Sequence, residues 1–401
     1  VVSERLIGAH SPKQSDLPPN STMHSSPASQ PNPRVYLDVA PWDFRPRNTD
    51  WRYVRHLLPR LVEWQPGLDL VLQTSPRVTL LSNYKAVRMA IGRRVGLPLS
   101  LQSRETDQLD ARELRRSGCK VVFSHRGYPT NAGDIPVIWQ SSVLDPVMTR
   151  SYQGGDTPAQ LAENELRHRL FHQAAIVQVS TVAESVRLSK TYPELAGKFT
   201  PVPFFLPDLH AIPADLLERH HSPKKVHLLF VGNEAWRKGL DLLLDSFQQL
   251  PASVRRHTHL TIISNFDDRK MAIPDDESIT VLHGVSHSVV IEQMRKAHVL
   301  INVARFESYG FIFPEAMSQG VACLGPDWEV QRELFDDGNA GMNVACDIMQ
   351  IKNALVRLIE DHELRFALAS AAHTRFQQTY SPAVVAKRYA DMFRAACLAA
   401  G

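Results

Sequence analysis

At 401 residues, with 43% hydrophobic and 22% charged content, the chain is too long for one ordinary core and fits two globular domains. Lys and Arg number 45 against 42 Asp and Glu, so nothing in the total of +3 demands nucleic acid. No apolar run approaches the roughly 18 residues that a membrane span needs. The charge is uneven, +6 over residues 34–210 and −3 over 211–401, so any peripheral contact with an anionic membrane surface falls to the N-terminal half. Cys119, Cys323, Cys346 and Cys397 follow no zinc-ligand spacing. They read as buried thiols of a reducing compartment, and with no signal-peptide pattern a cytoplasmic location is expected.

Residues 1–33 are dense in Ser, Pro and Asn and bury too little to offset their ordering entropy, so they read as a flexible arm. A strand starts at Arg34, followed by a loop carrying Asp43, Arg45 and Arg47 and by a helix from about Thr49. In that helix Val54, Leu57, Leu58, Leu61 and Val62 keep helical spacing while Arg52, Arg55 and Arg60 lie elsewhere. A solvated basic face and a membrane-surface patch are both open readings of those arginines. Short apolar runs around Leu68–Gln73, Lys120–His125, Ile135–Gln140 and Ala174–Ser180 alternate with helical stretches, the pattern of a parallel sheet. A Pro-rich connector follows near 201–213. The alternation restarts at Val226, a helix is expected over Lys238–Leu250, and a helical tail is interrupted at Tyr380-Ser-Pro before a last helix from Ala383. The expected layout is an N-terminal domain over 34–210, a second domain over 211–380, and a returning helix over 381–401.

His298 to Gly325 reads as strand, loop, helix and strand. Pro314 is tolerated in a first helical turn and Gly320 supplies the stop. Glu307 lies on the loop leaving the strand and Glu315 lies in the first helical turn. Parallel sheets bind ligands outside these strand ends, and carriers of negative charge there suit sugar hydroxyls, because a carboxylate only accepts. A favourable helix-dipole position accounts equally for Glu315, and an ordinary solvated charge for Glu307. Upstream, a strand ends at Gly232-Asn233 and the basic pair Arg237 and Lys238 stands at the same sheet edge, where fixed cations stabilise a departing diphosphate.

The string Glu307-SYGFIFP-Glu315 resembles the Glu-x7-Glu motif of retaining glycosyltransferases of family 4. That resemblance implies the GT-B fold, an α/β architecture of two doubly wound Rossmann-like domains facing a cleft. It also implies transfer of a sugar from a nucleoside diphosphate sugar to a saccharide or lipid-linked acceptor, without metal or cofactor and with no nucleic acid partner. Glu307 would face the donor sugar, Glu315 the ribose, and the backbone of Ser308, Tyr309, Gly310 and Phe311 the diphosphate. Lys238 and Gly239 match the family's Lys-Gly, whereas Asn233 stands where an arginine is usual and Arg237 is the candidate substitute. His283 and Gly284 would border the base, and Glu333 fits a downstream acidic position read as structural.

The N-terminal half departs from the family pattern. The first loop has Asp43, Arg45 and Arg47 instead of a glycine pair, and Gln140 precedes the place of a usual histidine. His125 follows another strand end and is either an acceptor-side residue or an ordinary hydrogen-bonded histidine. Two functions of other classes share the layout: a sugar-nucleotide epimerase, which needs acid and base residues in the N-terminal half, and a non-catalytic sugar-nucleotide-binding subunit.

Overall fold

The computed structural model describes residues 32–39, 57–72, 111–125, 132–140, 165, 168–220, 223–265 and 271–398. Within them twelve strands form two six-stranded sheets whose pairings are all parallel. The first holds β1 (Arg34–Val39), β2 (Asp69–Leu72), β3 (Val121–His125), β4 (Val137–Gln140), β5 (Ile176–Val179) and β6 (Phe199–Pro201) in the order β2-β1-β3-β4-β5-β6. The second holds β7 (Val226–Val231), β8 (Thr258–Ile263), β9 (Ile279–Leu282), β10 (Val299–Ile301), β11 (Ala322–Pro326) and β12 (Met342–Val344) in the order β12-β11-β10-β7-β8-β9. Parallel strands are covered on both faces, which is why they read as continuous apolar runs. Val121, Val122 and Phe123 in one sheet, and Val299, Leu300 and Ile301 in the other, are all fully buried.

The helices that matter for the site are α1 (Val182–Thr191), α2 (Leu240–Gln248), α3 (His287–Lys296), α4 (Ile312–Ser318), α5 (Glu329–Leu334), α6 (Ile348–Glu360), α7 (His362–Arg375) and α8 (Pro382–Leu398). Helix α2 buries Leu240, Leu243, Leu244 and Phe247, the stripe expected from their spacing. Each such side chain contributes at most about 1.5 to 3 kcal/mol. The helix starts at Leu240, two residues later than its apolar pattern predicts, because Gly239 takes φ +76° and ends a turn that precedes it. Only glycine fits there, since a Cβ would lie 2.3 Å from the Val303 carbonyl oxygen.

The second sheet reverses its order between β7 and β10: the chain builds β8 and β9 on one side of β7, then returns to build β10, β11 and β12 on the other. The crevice above that reversal is where an open parallel sheet binds ligands. The first sheet has its reversal at β1, flanked by β2 and β3.

The connector is packed along its length. Phe204, Phe205, Leu209 and Ile212 are buried, and the Ile212 N–H donates to the Ser318 carbonyl at 2.9 Å. Gln319 donates to the His210 carbonyl at 3.1 Å and His373 Nε2 to the Ile212 carbonyl at 2.8 Å. Gly320, at φ +59°, does more than end α4: a Cβ there would lie 2.1 Å from Leu217 Cδ2. After a π-helical turn over Phe376–Tyr380, α8 crosses to the first sheet and packs Tyr389 and Phe393 on Phe123, each with ring centroids 5.9 Å apart.

The cysteine reading needs correction. Cys119 and Cys323 are buried, but Cys346 is exposed and Cys397 partly exposed, because they lie after a strand and near the end of α8 rather than inside a sheet. Among the described residues no helix is long and apolar enough to cross a membrane. The arm over 1–31, the start of the basic helix, and Asp43, Arg45 and Arg47 lie outside the described residues.

Candidate active site

The loop leaving β7 is short, and its geometry delivers Lys238 to the crevice. The Lys238 N–H donates to the Glu234 carbonyl at 2.8 Å and the Leu240 N–H to Ala235 at 2.9 Å, winding residues 234–239 back over the strand end. Gly232 makes room for this, since a Cβ would lie 2.9 Å from Lys238 Cγ. The loop leaving β10 brings Glu307 to the same point. Its carboxylate accepts a direct, short hydrogen bond from Lys238 Nζ and lies 3.8 Å from the Arg237 guanidinium. Glu307 is 9% exposed at its side chain, Lys238 16% and Arg237 19%, so the cluster is largely desolvated yet open on one side.

Arg237 is held by its own surroundings. It makes two 2.8 Å bonds to Glu234 and one of 2.8 Å to the Phe306 carbonyl. The Arg237 contact drops the Glu234 carboxyl below the usual carboxylate range. Arg305 joins the two loops. Its N–H donates to the Arg237 carbonyl at 2.9 Å, its guanidinium to the Trp236 carbonyl at 2.6 Å, and two further bonds of 2.7 Å run to Asp241. It also lies 4.5 Å over the Trp236 ring, which is largely exposed. Neither Arg305 nor Asp241 carries a motif, and an ion pair between a loop and the first turn of α2, 64 residues apart, reveals them.

Between the glutamates, Gly310 turns the chain with φ +85° into α4, and a Cβ there would lie 2.7 Å from Phe313. Ser308 is partly exposed. The Tyr309 ring is buried against Phe204 and Phe311, with centroids at 5.1 and 5.5 Å, and its carbonyl accepts from Gln331 Nε2 at 2.9 Å. Tyr309 and Phe311 therefore shape the loop through the packing of their rings. Glu315, 15% exposed at its side chain, accepts from His287 Nε2 at 3.0 Å. His287 opens α3, and no motif marks it in the sequence; only its contact with Glu315, 28 residues away, reveals it.

His283 and Gly284 are exposed at the end of β9. His283 Nδ1 donates to the Ser264 carbonyl at 2.6 Å, Gly284 N–H donates to Asn265 Oδ1 at 2.7 Å, and Ser264 Oγ donates to the Gly232 carbonyl. Asn233 is exposed on the same rim. The ends of β7, β8, β9 and β10 are thus laced together around Lys238 and Glu307.

His125 is 1% exposed and does not face solvent, so of its two readings the hydrogen-bonded one describes it. Its Nδ1–H donates to Gln140 Oε1, since a carboxamide oxygen only accepts. Gln140 Nε2 donates to Gln178 Oε1 at 3.1 Å and to Tyr389 Oη at 3.0 Å. Gln178 Nε2 donates to Tyr389 Oη and to the Val202 carbonyl, both at 2.9 Å. This network closes the ends of β3, β4 and β5 beneath α8.

Glu333 bridges the halves. Its carboxylate accepts from the Val182 N–H at 2.9 Å and the Ala183 N–H at 2.6 Å, two of the free donors at the start of α1. Arg187 in α1 pairs with Glu329 at 2.7 Å beside it. Burial pushes the Glu333 carboxyl above its ordinary range, although both N–H groups favour the ionised form.

Two parallel Rossmann-like sheets with a helix returning from the second to the first make the GT-B fold of glycosyltransferases. Residues 225–361, which contain the whole of this crevice, match the family model described as "Glycosyl transferases group 1". Over 198 residues the chain is 24% identical to alpha-D-kanosaminyltransferase of Streptomyces kanamyceticus, covering 47% of this chain and 50% of that one. The chain therefore spans about half the length of the curated relative it matches. The crystal structure of WaaG, a glycosyltransferase involved in lipopolysaccharide biosynthesis, superposes with a TM-score of 0.58 at 16% identity, covering 90% of this chain and 99% of WaaG. HepE from Anabaena, crystallised with UDP and glucose, superposes with a TM-score of 0.57 at 13% identity over 90% of this chain and 99% of its own.

Proposed function

We propose that this protein is a retaining glycosyltransferase that moves a sugar from a nucleoside diphosphate sugar to a saccharide or lipid-linked acceptor hydroxyl. The observation that carries the reading is the meeting of Lys238 and Glu307, delivered by two different loops to the order reversal of the second sheet. The family match over 225–361 and the UDP bound to a protein of the same fold support it.

In this reading Lys238 and Arg237 stabilise the charge that develops on the leaving diphosphate, in a site already desolvated and fixed by Arg305. The Glu307 carboxylate, in contact with Lys238, accepts from hydroxyls of the donor sugar, so donor binding exchanges part of an internal ion pair for substrate contacts. Glu315, oriented by His287, accepts from ribose hydroxyls. His283 and Gly284 border the base. Attack by the acceptor from the face that the diphosphate leaves, with a leaving-group oxygen taking the proton, accounts for retention. Two cations at the site supply the charge stabilisation that a metal-bound diphosphate would otherwise need, so EDTA is expected to leave turnover unchanged.

The test is steady-state kinetics with calorimetric binding of UDP and other nucleoside diphosphates. A thermal-shift screen identifies the donor first, since a nucleotide sugar at 100 times its dissociation constant stabilises by about 2.7 kcal/mol. Glu307→Gln should lower turnover about tenfold to a hundredfold with little change in nucleotide affinity. Glu315→Gln should weaken donor and nucleotide about tenfold and leave turnover at saturation intact, because ribose contacts are equal in ground and transition states. Normal turnover in Glu307→Gln, or interconversion of free nucleotide sugars without acceptor, would sink the assignment.

A further inference from the structure

A second cluster of chemistry-bearing side chains lies at the opposite edge of the first sheet. The helical stretch 168–173 runs into β5, and its His168 and His172, four residues apart, share one helix face. The turn Pro193–Lys198 runs into β6 and carries Glu194. Both segments precede their strands, so the cluster sits at the N-terminal edge of the sheet, away from the ligand crevice.

Its geometry is that of a metal site. His168 Nε2 lies 3.0 Å from Glu194 Oε1 and 3.3 Å from His172 Nε2, and His172 Nε2 lies 3.9 Å from the same carboxylate oxygen. Tetrahedral zinc, with bonds of about 2.0 to 2.2 Å to nitrogen and oxygen, holds neighbouring ligand atoms about 3.3 Å apart. Two of the three separations match that figure to within about 0.3 Å, and the third, 3.9 Å, closes with a small turn of the His172 ring. The side chains are 41%, 49% and 48% exposed, which leaves the fourth corner to water.

The supports are preorganised. The His168 ring packs on Tyr192 with centroids 5.3 Å apart, and Tyr192 in turn packs on Phe171 at 5.5 Å. Lys198 Nζ donates to the carbonyls of Phe171, His172 and Ala174 at 3.3, 2.6 and 2.8 Å, so it pins the helix end to the Glu194 turn.

We propose that His168, His172 and Glu194 bind one divalent transition-metal ion, zinc in the first place, as a structural clip between the 168–173 helix and the Pro193–Lys198 turn. Two imidazoles and one carboxylate suit zinc and its neighbours and not magnesium or calcium, which take oxygen. The clip stands apart from the donor site and does not depend on the function proposed above.

The test uses the full chain, freed of metal, titrated with Co2+ and then Zn2+. One equivalent of cobalt should give the visible absorption of a tetrahedral centre, and zinc should displace it. His172→Gln and Glu194→Gln should each weaken zinc by at least about tenfold to a hundredfold, and zinc should raise the melting temperature of the parent but not of the variants. Affinity for nucleoside diphosphates should be unchanged in both. Equal zinc affinity in parent and variants, or no saturable binding below about 1 mM zinc, would overturn the proposal.

Discussion

The ends of the two sheets solve the same problem with opposite chemistry. Above β7 and β10 in the second sheet, the crevice holds a lysine, an arginine and a glutamate in contact, each largely desolvated and open on one side. Beside β1 in the first sheet, the ends of β3, β4 and β5 hold a hydrogen-bonded array of His125, Gln140, Gln178 and Tyr389 that is closed over by α8. An ion pair with spare acceptor and donor capacity is able to trade partners with a charged ligand. Carboxamides whose donors are all engaged have none left to trade. The difference is between a cluster with the chemistry to exchange partners, as the proposed function requires, and a buried network that holds β3, β4, β5 and α8 together.

Lys238→Met is the strongest way to break that contrast. It removes a cation from the diphosphate position and leaves Glu307 buried beside only the more distant Arg237. Turnover should fall by about a hundredfold to a thousandfold, the loss seen for a single preorganised charge-stabilising donor. Stability should fall by about 2 to 3 kcal/mol, the worth of a hydrogen bond to a charged group, as read by chemical denaturation. Wild-type turnover in this variant would show that the ion pair is merely structural.

Tyr389→Phe should act on stability alone. It takes the shared acceptor from Gln140 and Gln178, each still bonded elsewhere, and should cost about 1 to 3 kcal/mol in denaturation while nucleotide affinity stays within about twofold. A loss of nucleotide affinity would mean that the two sheet ends are coupled and the contrast is too sharp.

The smallest effect concerns Glu333, which joins the two halves. Its carboxyl is raised by burial, so the folded chain binds the proton more tightly than the unfolded one. Stability from this group is therefore fully present below the ordinary glutamate value of about 4.3 and is lost as pH rises through the folded value. Relative to Glu333→Gln, the wild-type protein should gain stability when pH is lowered from 7 toward 5. Parallel stability profiles for the two proteins would remove the inference.

Much of this was legible from periodicity and chain ends. The apolar runs that became strands, the stripe of α2, the placement of Lys238 and Glu307 on loops leaving strands, and that of Glu315 in a first helical turn all follow from local pattern. Local pattern differs from the structure in details: Gly239 delays α2 because the Val303 carbonyl crowds it, and Cys346 and Cys397 are not buried.

What periodicity has no means of deciding is which strand neighbours which. The order β10-β7-β8 alone puts Lys238 against Glu307, 69 residues apart, and lets Arg305 reach Asp241. The same holds for Tyr389 on Gln140, 249 residues away, and for Glu333 at the start of α1. His168 and His172 share a helix face by spacing, but Glu194 joins them only because β5 and β6 are adjacent. A side chain's chemical type and its place on an element are local properties. Its partner across the sheet is set by how the sheet closes, and the pairings of Lys238 with Glu307, Tyr389 with Gln140 and Glu333 with the start of α1 are all of that second kind.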